Sequence, residues 1–134
     1  MKSKTLNIAS ALLIIIGACA TFEGVWALLL SAGYLDIWMK MYGVTIPQTD
    51  FKIHVNQFYG LEKLIAGLFF CAISLIPYRK AEKWAWYAIL VIGGIHMLGT
   101  LILWTPHAPF SVILVILWIV GLVLPYKQIM GKSS

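Results

Sequence analysis

The chain has 134 residues, of which 61% are hydrophobic and 11% charged. A soluble domain is nearer half apolar and a quarter charged, so this composition excludes a soluble globular protein and calls for an integral membrane one. The net charge of +5 is not a nucleic-acid signal, because the basic residues gather at particular loops, and the length suits one domain of four spans at about 20 apolar residues each.

The first apolar segment is predicted over 6–32. Its opening, "MKSKTLNIASALLIIIGAC", has a basic start, an apolar run and then Ile16-Gly17-Ala18-Cys19, which has the look of a lipoprotein cleavage signal with Cys19 as the lipidated residue. A lipoprotein continues into a polar tether, whereas this chain continues "ATFEGVWALLLSAG", so an uncleaved first span is the expectation. Gly17, Ala20, Gly24, Ala27 and Ser31 follow one another at steps of 3 and 4 and share one face. Small residues let membrane helices approach closely, because packing drives their association.

An outer segment over 34–46 follows. Tyr34, Trp38, Met41 and Tyr42 fall at helical spacing in "GYLDIWMKMYGV", which predicts a short helix at the outer membrane interface, where Trp and Tyr act as anchors. The second span is predicted over 55–76. It carries a stripe of Asn56, Gly60, Lys63, Gly67, Cys71 and Ser74. The third is predicted over 84–104, with Gly93, His96, Gly99 and Thr100 on one side, and the fourth over 110–124, with Ser111 and the Trp118 indole as its polar groups. All 5 prolines lie between or at the ends of these segments, as expected for residues that break helices.

Orientation is read from the cations. Lys2, Lys4, Arg79, Lys80, Lys83, Lys127 and Lys132 fall on one side, and Lys40 and Lys52 on the other. Positive loops stay in the cytoplasm, so both termini and "PYRKAEKW" are predicted cytoplasmic, with the 33–54 loop and "TPHAP" outside. The predicted fold is an all-α, antiparallel four-helix bundle, multi-pass in a cell membrane, most simply the cytoplasmic membrane of a prokaryote.

Ionisable residues inside the spans are the candidate site. Glu23, Glu62, Lys63 and His96 are predicted to share one layer of the outer half, each roughly 8–12 Å below the outer helix ends at about 1.5 Å per residue. Gln57 and Tyr59 lie on the same helix as Glu62 and Lys63 and extend the cluster. A charge at mid-membrane costs about 2.5–3.5 kcal/mol, so such residues usually pair or mark a ligand site or relay. Lys63 and Glu62 are adjacent and point about 100° apart. Lys63 is therefore expected to pair with Glu23 of the first span. The structural alternative is that the cluster only fixes helix register, or that Lys63 snorkels to the headgroups.

No local catalytic or metal motif is present, and the two cysteines, Cys19 and Cys71, sit inside apolar runs without a partner pattern. No metal and no cofactor is expected from the residues.

Taken in order, "GYLDIWMKMYGVTIP", "QFYGLEKLIAGLFF", "PYRKAEKW" and "AILVIGGIHMLGTLILW" resemble the DoxX-like group of small four-helix membrane proteins. The resemblance implies a small subunit of a quinone-linked membrane oxidoreductase and supplies no catalytic residue. The expected function is therefore a small membrane subunit or accessory protein of a larger complex, with the bilayer, other membrane subunits or further copies of itself as partners. The alternatives are an enzyme or binder for a lipophilic substrate such as a quinone or lipid, with residues 34–46 as a lid, and a small transporter or proton pathway.

Overall fold

Every regular element of the computed structural model is helical among the described residues, which are 4–43, 45, 47–104 and 111–131, without the side chains of 103 and 104. In chain order the helices are α1 (Lys4–Leu29), α2 (Ser31–Tyr42), α3 (Asp50–Leu75), α4 (Lys83–Trp104), α5 (Ser111–Val123) and α6 (Tyr126–Met130), with a 3-10 turn at Tyr78–Lys80. Four stretches are long and apolar enough to cross a membrane: Lys4–Leu29, Asp50–Lys80, Lys83–Ile102 and Ser111–Met130. The loop "TPHAP", Lys2, Lys132, Phe110 and Ile46 lie outside the described residues.

The helix ends correct three expectations, each for a local reason. The first span stops at Leu29, not at 32. Leu30 leaves the helical region at φ −123 and ψ 43, and α2 starts at once with Ser31. The predicted outer segment 34–46 is thus a helix over Ser31–Tyr42. It closes at Gly43, whose φ of 63 is open to glycine and whose N–H meets the carbonyls of Lys40 and Met39. α3 begins at Asp50 rather than 55. Thr49 accepts the Lys52 N–H on its hydroxyl at 3.4 Å and Asp50 occupies the first turn, so cap chemistry starts the helix before hydropathy does.

The chain forms two compact units, Met1–Gly17 with Phe69–Ser134, and Ala18–Leu68, the division falling within α1 and α3. In the first unit the start of α1, the end of α3, α4 and α5 pack antiparallel around Leu13, Ile16, Phe70, Ile89, Met97 and Val115. Ser10 donates to the Ser74 carbonyl at 2.5 Å, joining α1 to α3. Gly93 of α4 faces the Phe70 ring and the Trp118 indole, where an added Cβ would come within 2.9 Å of both. The small face of α4 is therefore centred on Gly93 and Gly94. Gly99, expected on it, has nothing within 4 Å of where its Cβ would be.

Pro125 explains two buried hydrogen bonds at the end of α5. Proline has no N–H, so the Gly121 carbonyl loses its ordinary helical partner, and the helix ends at Val123. The Tyr78 phenol donates to the Gly121 carbonyl at 2.5 Å, and the Trp86 indole donates to the Leu122 carbonyl at 2.9 Å. Both side chains are buried, Tyr78 completely. Tyr78→Phe strands a buried carbonyl, and the expected result is a loss of about 1–3 kcal/mol in detergent unfolding, with Tyr87→Phe, at an exposed ring, near neutral.

In the second unit the end of α1 and the start of α3 cross antiparallel at two glycines. A Cβ on Gly24 would lie 2.7 Å from the Gly60 carbonyl oxygen, and one on Gly60 would lie 2.6 Å from the Leu28 nitrogen. Every member of the expected small-residue face of α1, Gly17, Ala20, Gly24, Ala27 and Ser31, is buried. So are Asn56, Gly60, Lys63, Gly67 and Ser74 on α3, whereas Cys71 of the same expected stripe is half-buried.

Candidate functional site

The polar cluster is built where side chains of α1, α2 and α3 meet in the second unit. Leu30 breaks the helix, and beyond that break the Tyr34 phenol of α2 reaches Glu23 of α1. The glycine crossing then brings α3 close enough for Tyr59 and Lys63 to reach the same carboxylate. Glu23 Oε1 accepts hydrogen bonds from the Tyr34 phenol at 2.8 Å and the Tyr59 phenol at 2.7 Å. Its other oxygen, Oε2, lies 3.9 Å from Lys63 Nζ, with the two side chains 26% and 11% exposed. The ammonium also sits 5.5 Å from the centre of the Tyr59 ring, within the range of a cation–π contact. The expected pairing of Lys63 with Glu23 is present.

A second tie lies toward the α2 end of the same interface. The Asn56 amide donates to the Ala27 carbonyl and to Ser31 Oγ, both at 3.3 Å, and Ser31 itself donates to the Ala27 carbonyl. Aromatic rings surround the carboxylate. Trp26 meets Tyr34 edge-on at 5.6 Å, Tyr34 lies 6.4 Å from Tyr59, and Trp38 stacks on Tyr42 at 5.1 Å. Burial, and after it the charge of Glu23, raise the Tyr34 phenol above its ordinary range. Tyr34 therefore keeps its proton and stays a donor to Glu23. Outside the helices, Gln48 donates to Asp36 at 2.5 Å, tying the segment after α2 back to it.

Of the predicted site residues, the structure gathers Glu23, Tyr59 and Lys63. Glu62 is exposed, one residue around the helix from Lys63 and away from the Glu23 carboxylate. Gln57 is half-buried and makes no hydrogen bond among the described residues. His96 belongs to the first unit, where its carbonyl accepts the Thr100 hydroxyl at 2.9 Å. The sequence marks Tyr34 as an interfacial anchor at the start of a lid segment and Asn56 as a member of a stripe. Tyr34 enters the site because α1 breaks at Leu30, and no helical wheel links residues on opposite sides of a break. Asn56 carried a usable signal, being the amide on a face of small residues. Among the described residues no three His, Cys, Asp or Glu side chains come together as metal ligands.

On an exposed face at the end of α1 an apolar groove of about 420 Å³ is lined by Phe22, Val25, Trp26, Leu29 and Leu30. Phe22 and Trp26 flank Glu23 along the helix.

No protein-family model, curated protein or solved structure matches the chain. Fold and composition define a multi-pass helical membrane protein with a partly buried carboxylate held by two phenols and an ammonium.

Proposed function

We propose that the chain is a small integral membrane subunit or accessory protein of a larger membrane complex, without catalytic chemistry of its own. The observation that supports this reading is the use made of the polar side chains in the second unit. Glu23, Tyr34, Tyr59, Lys63, Asn56 and Ser31 join α1, α2 and α3 to one another. A redox-linked complex is suggested by the likeness to the DoxX-like group alone. The test is gentle solubilisation of native membranes and purification of the tagged chain. Other membrane subunits should travel with it in fixed proportion, and a protein that always emerges alone or as a homo-oligomer would defeat the reading.

The orientation proposed with it has both termini in the cytoplasm. It is supported by the cations at the helix ends, with Lys4, Arg79, Lys80, Lys83 and Lys127 at the start of α1, after α3, at the start of α4 and after α5, and Lys40 and Lys52 at the end of α2 and the start of α3. Single cysteines introduced at Ser133 and Gln48, in a chain freed of Cys19 and Cys71, should label from opposite sides of intact cells. Labelling of both from outside would overturn the orientation.

A further inference from the structure

We infer that the exposed edge of α3 around Glu62 is a docking surface for another membrane subunit, whose transmembrane helix brings a basic side chain to Glu62 inside the bilayer. The inference rests on the accessory-subunit reading and names the chemistry of the partner. Its first support is depth. Lys52 and Arg79 mark the polar ends of the second membrane-crossing stretch, Asp50–Lys80. At about 1.5 Å per residue, Glu62 falls within roughly 5 Å of the midpoint between them. A hydrocarbon core is about 30 Å thick, which leaves the headgroups roughly 10 Å away, beyond the reach of so short a side chain.

The second support is direction. Glu62 is exposed, with Phe58 one turn before it at 76% exposure and Ile65 one turn after it at 60%. The adjacent Lys63 does not serve it, because that side chain turns into the bundle and pairs with Glu23. Among the described residues Glu62 has no hydrogen bond and no ion pair. Lipid tails offer a carboxyl group neither a donor nor an opposite charge, and ionisable side chains within spans ordinarily face protein or a water-filled cavity.

The third support is the shape of the edge. Phe51, Val55, Phe58, Glu62 and Ile65 follow one another at steps of 4, 3, 4 and 3, and all are exposed. Such steps make one continuous ridge, the pattern with which a helix packs lengthwise against another. The charge on that ridge identifies the occupant. A carboxylate surrounded by apolar side chains is matched by Lys, Arg or His on the facing helix, and a single polar pair in an apolar seam also fixes register. A second copy of this chain does not match. A two-fold contact along the ridge would set Glu62 against Glu62, and Lys63, the lysine at that depth, is only 9% exposed and already paired.

The tagged chain is purified from native membranes by gentle solubilisation, as wild type and as Glu62→Leu. Recovery of the partner subunit should fall about tenfold or more in Glu62→Leu, as expected when one member of a desolvated charge pair is removed. The variant by itself should melt no lower than wild type, because Glu62 makes no polar contact with the described residues of its own chain. In the otherwise unaltered chain, a photoreactive benzophenone side chain in place of Phe58 should crosslink to the same subunit, at a peptide that carries Lys, Arg or His inside an apolar run. Unchanged recovery with Glu62→Leu overturns the inference and leaves the accessory-subunit reading standing. A wild-type chain that emerges without any other subunit defeats both. A Phe58 crosslink to lipid alone, to a second copy, or to a helix with no basic residue also overturns the docking.

Discussion

Lys63→Met should lower the unfolding stability of the detergent-solubilised protein by about 3 kcal/mol, at the low end of the 3–5 kcal/mol seen when one member of a buried ion pair is removed. The low end is expected because the stranded Glu23 carboxylate keeps two phenol donors, Tyr34 at 2.8 Å and Tyr59 at 2.7 Å. Glu23→Gln should cost more. It leaves the buried Lys63 ammonium with only the Tyr59 ring, 5.5 Å away. In the double variant no charge remains, and the Gln side-chain oxygen still accepts the phenols. The double variant should therefore be more stable than either single one, though below wild type. Thermal unfolding of the four proteins in one detergent gives the ranking. Additive losses would show that Glu23 and Lys63 do not act as a pair.

The second large effect is expected at the glycine crossing. In Gly24→Leu the new Cβ meets the Leu64 backbone nitrogen and lies 2.7 Å from the Gly60 carbonyl oxygen. Overpacking costs about 1–3 kcal/mol where neighbouring side chains can move. Here the obstacle is backbone, so α1 and α3 must separate. Separation also breaks the Asn56 bond to the Ala27 carbonyl and widens the Glu23–Lys63 gap, since both depend on the same approach. The expected loss exceeds about 3 kcal/mol, and even Gly24→Ala should be clearly destabilised. Leu29→Val, at a position 71% exposed, should change stability by no more than about 0.5 kcal/mol. Equal melting of Gly24→Leu and wild type would refute the close crossing.

Much of this was legible beforehand, residue by residue. Runs of apolar residues separated by prolines located four spans, because a bilayer imposes length and composition on anything that crosses it. The steps of 3 and 4 between Gly17, Ala20, Gly24, Ala27 and Ser31 identified the packing face of α1, because a helix converts spacing into direction. The pairing of Lys63 with Glu23 followed from the same rule, which turns the adjacent Glu62 away. Helix starts were less legible. Thr49 and Asp50 begin α3 by capping, a local electrostatic signal that an average over hydropathy blurs.

Readable from the chain alone are therefore the class of protein, the number of spans, the faces that pack and the opposite charge for Lys63. These depend on composition and on periodicities within one helix. Which groups complete the site depends on packing between helices. Tyr34 reaches Glu23 because the helix breaks at Leu30, and His96 falls in a different unit although the sequence places it at the same depth. Tyr78 and Trp86 become caps for α5 because Pro125 leaves carbonyls open at the point where those two side chains arrive. Depth along a helix is a one-dimensional quantity that a sequence carries. Which helices stand beside one another, and at what rotation, emerges only from close packing of whole surfaces, and no local pattern of residues encodes it.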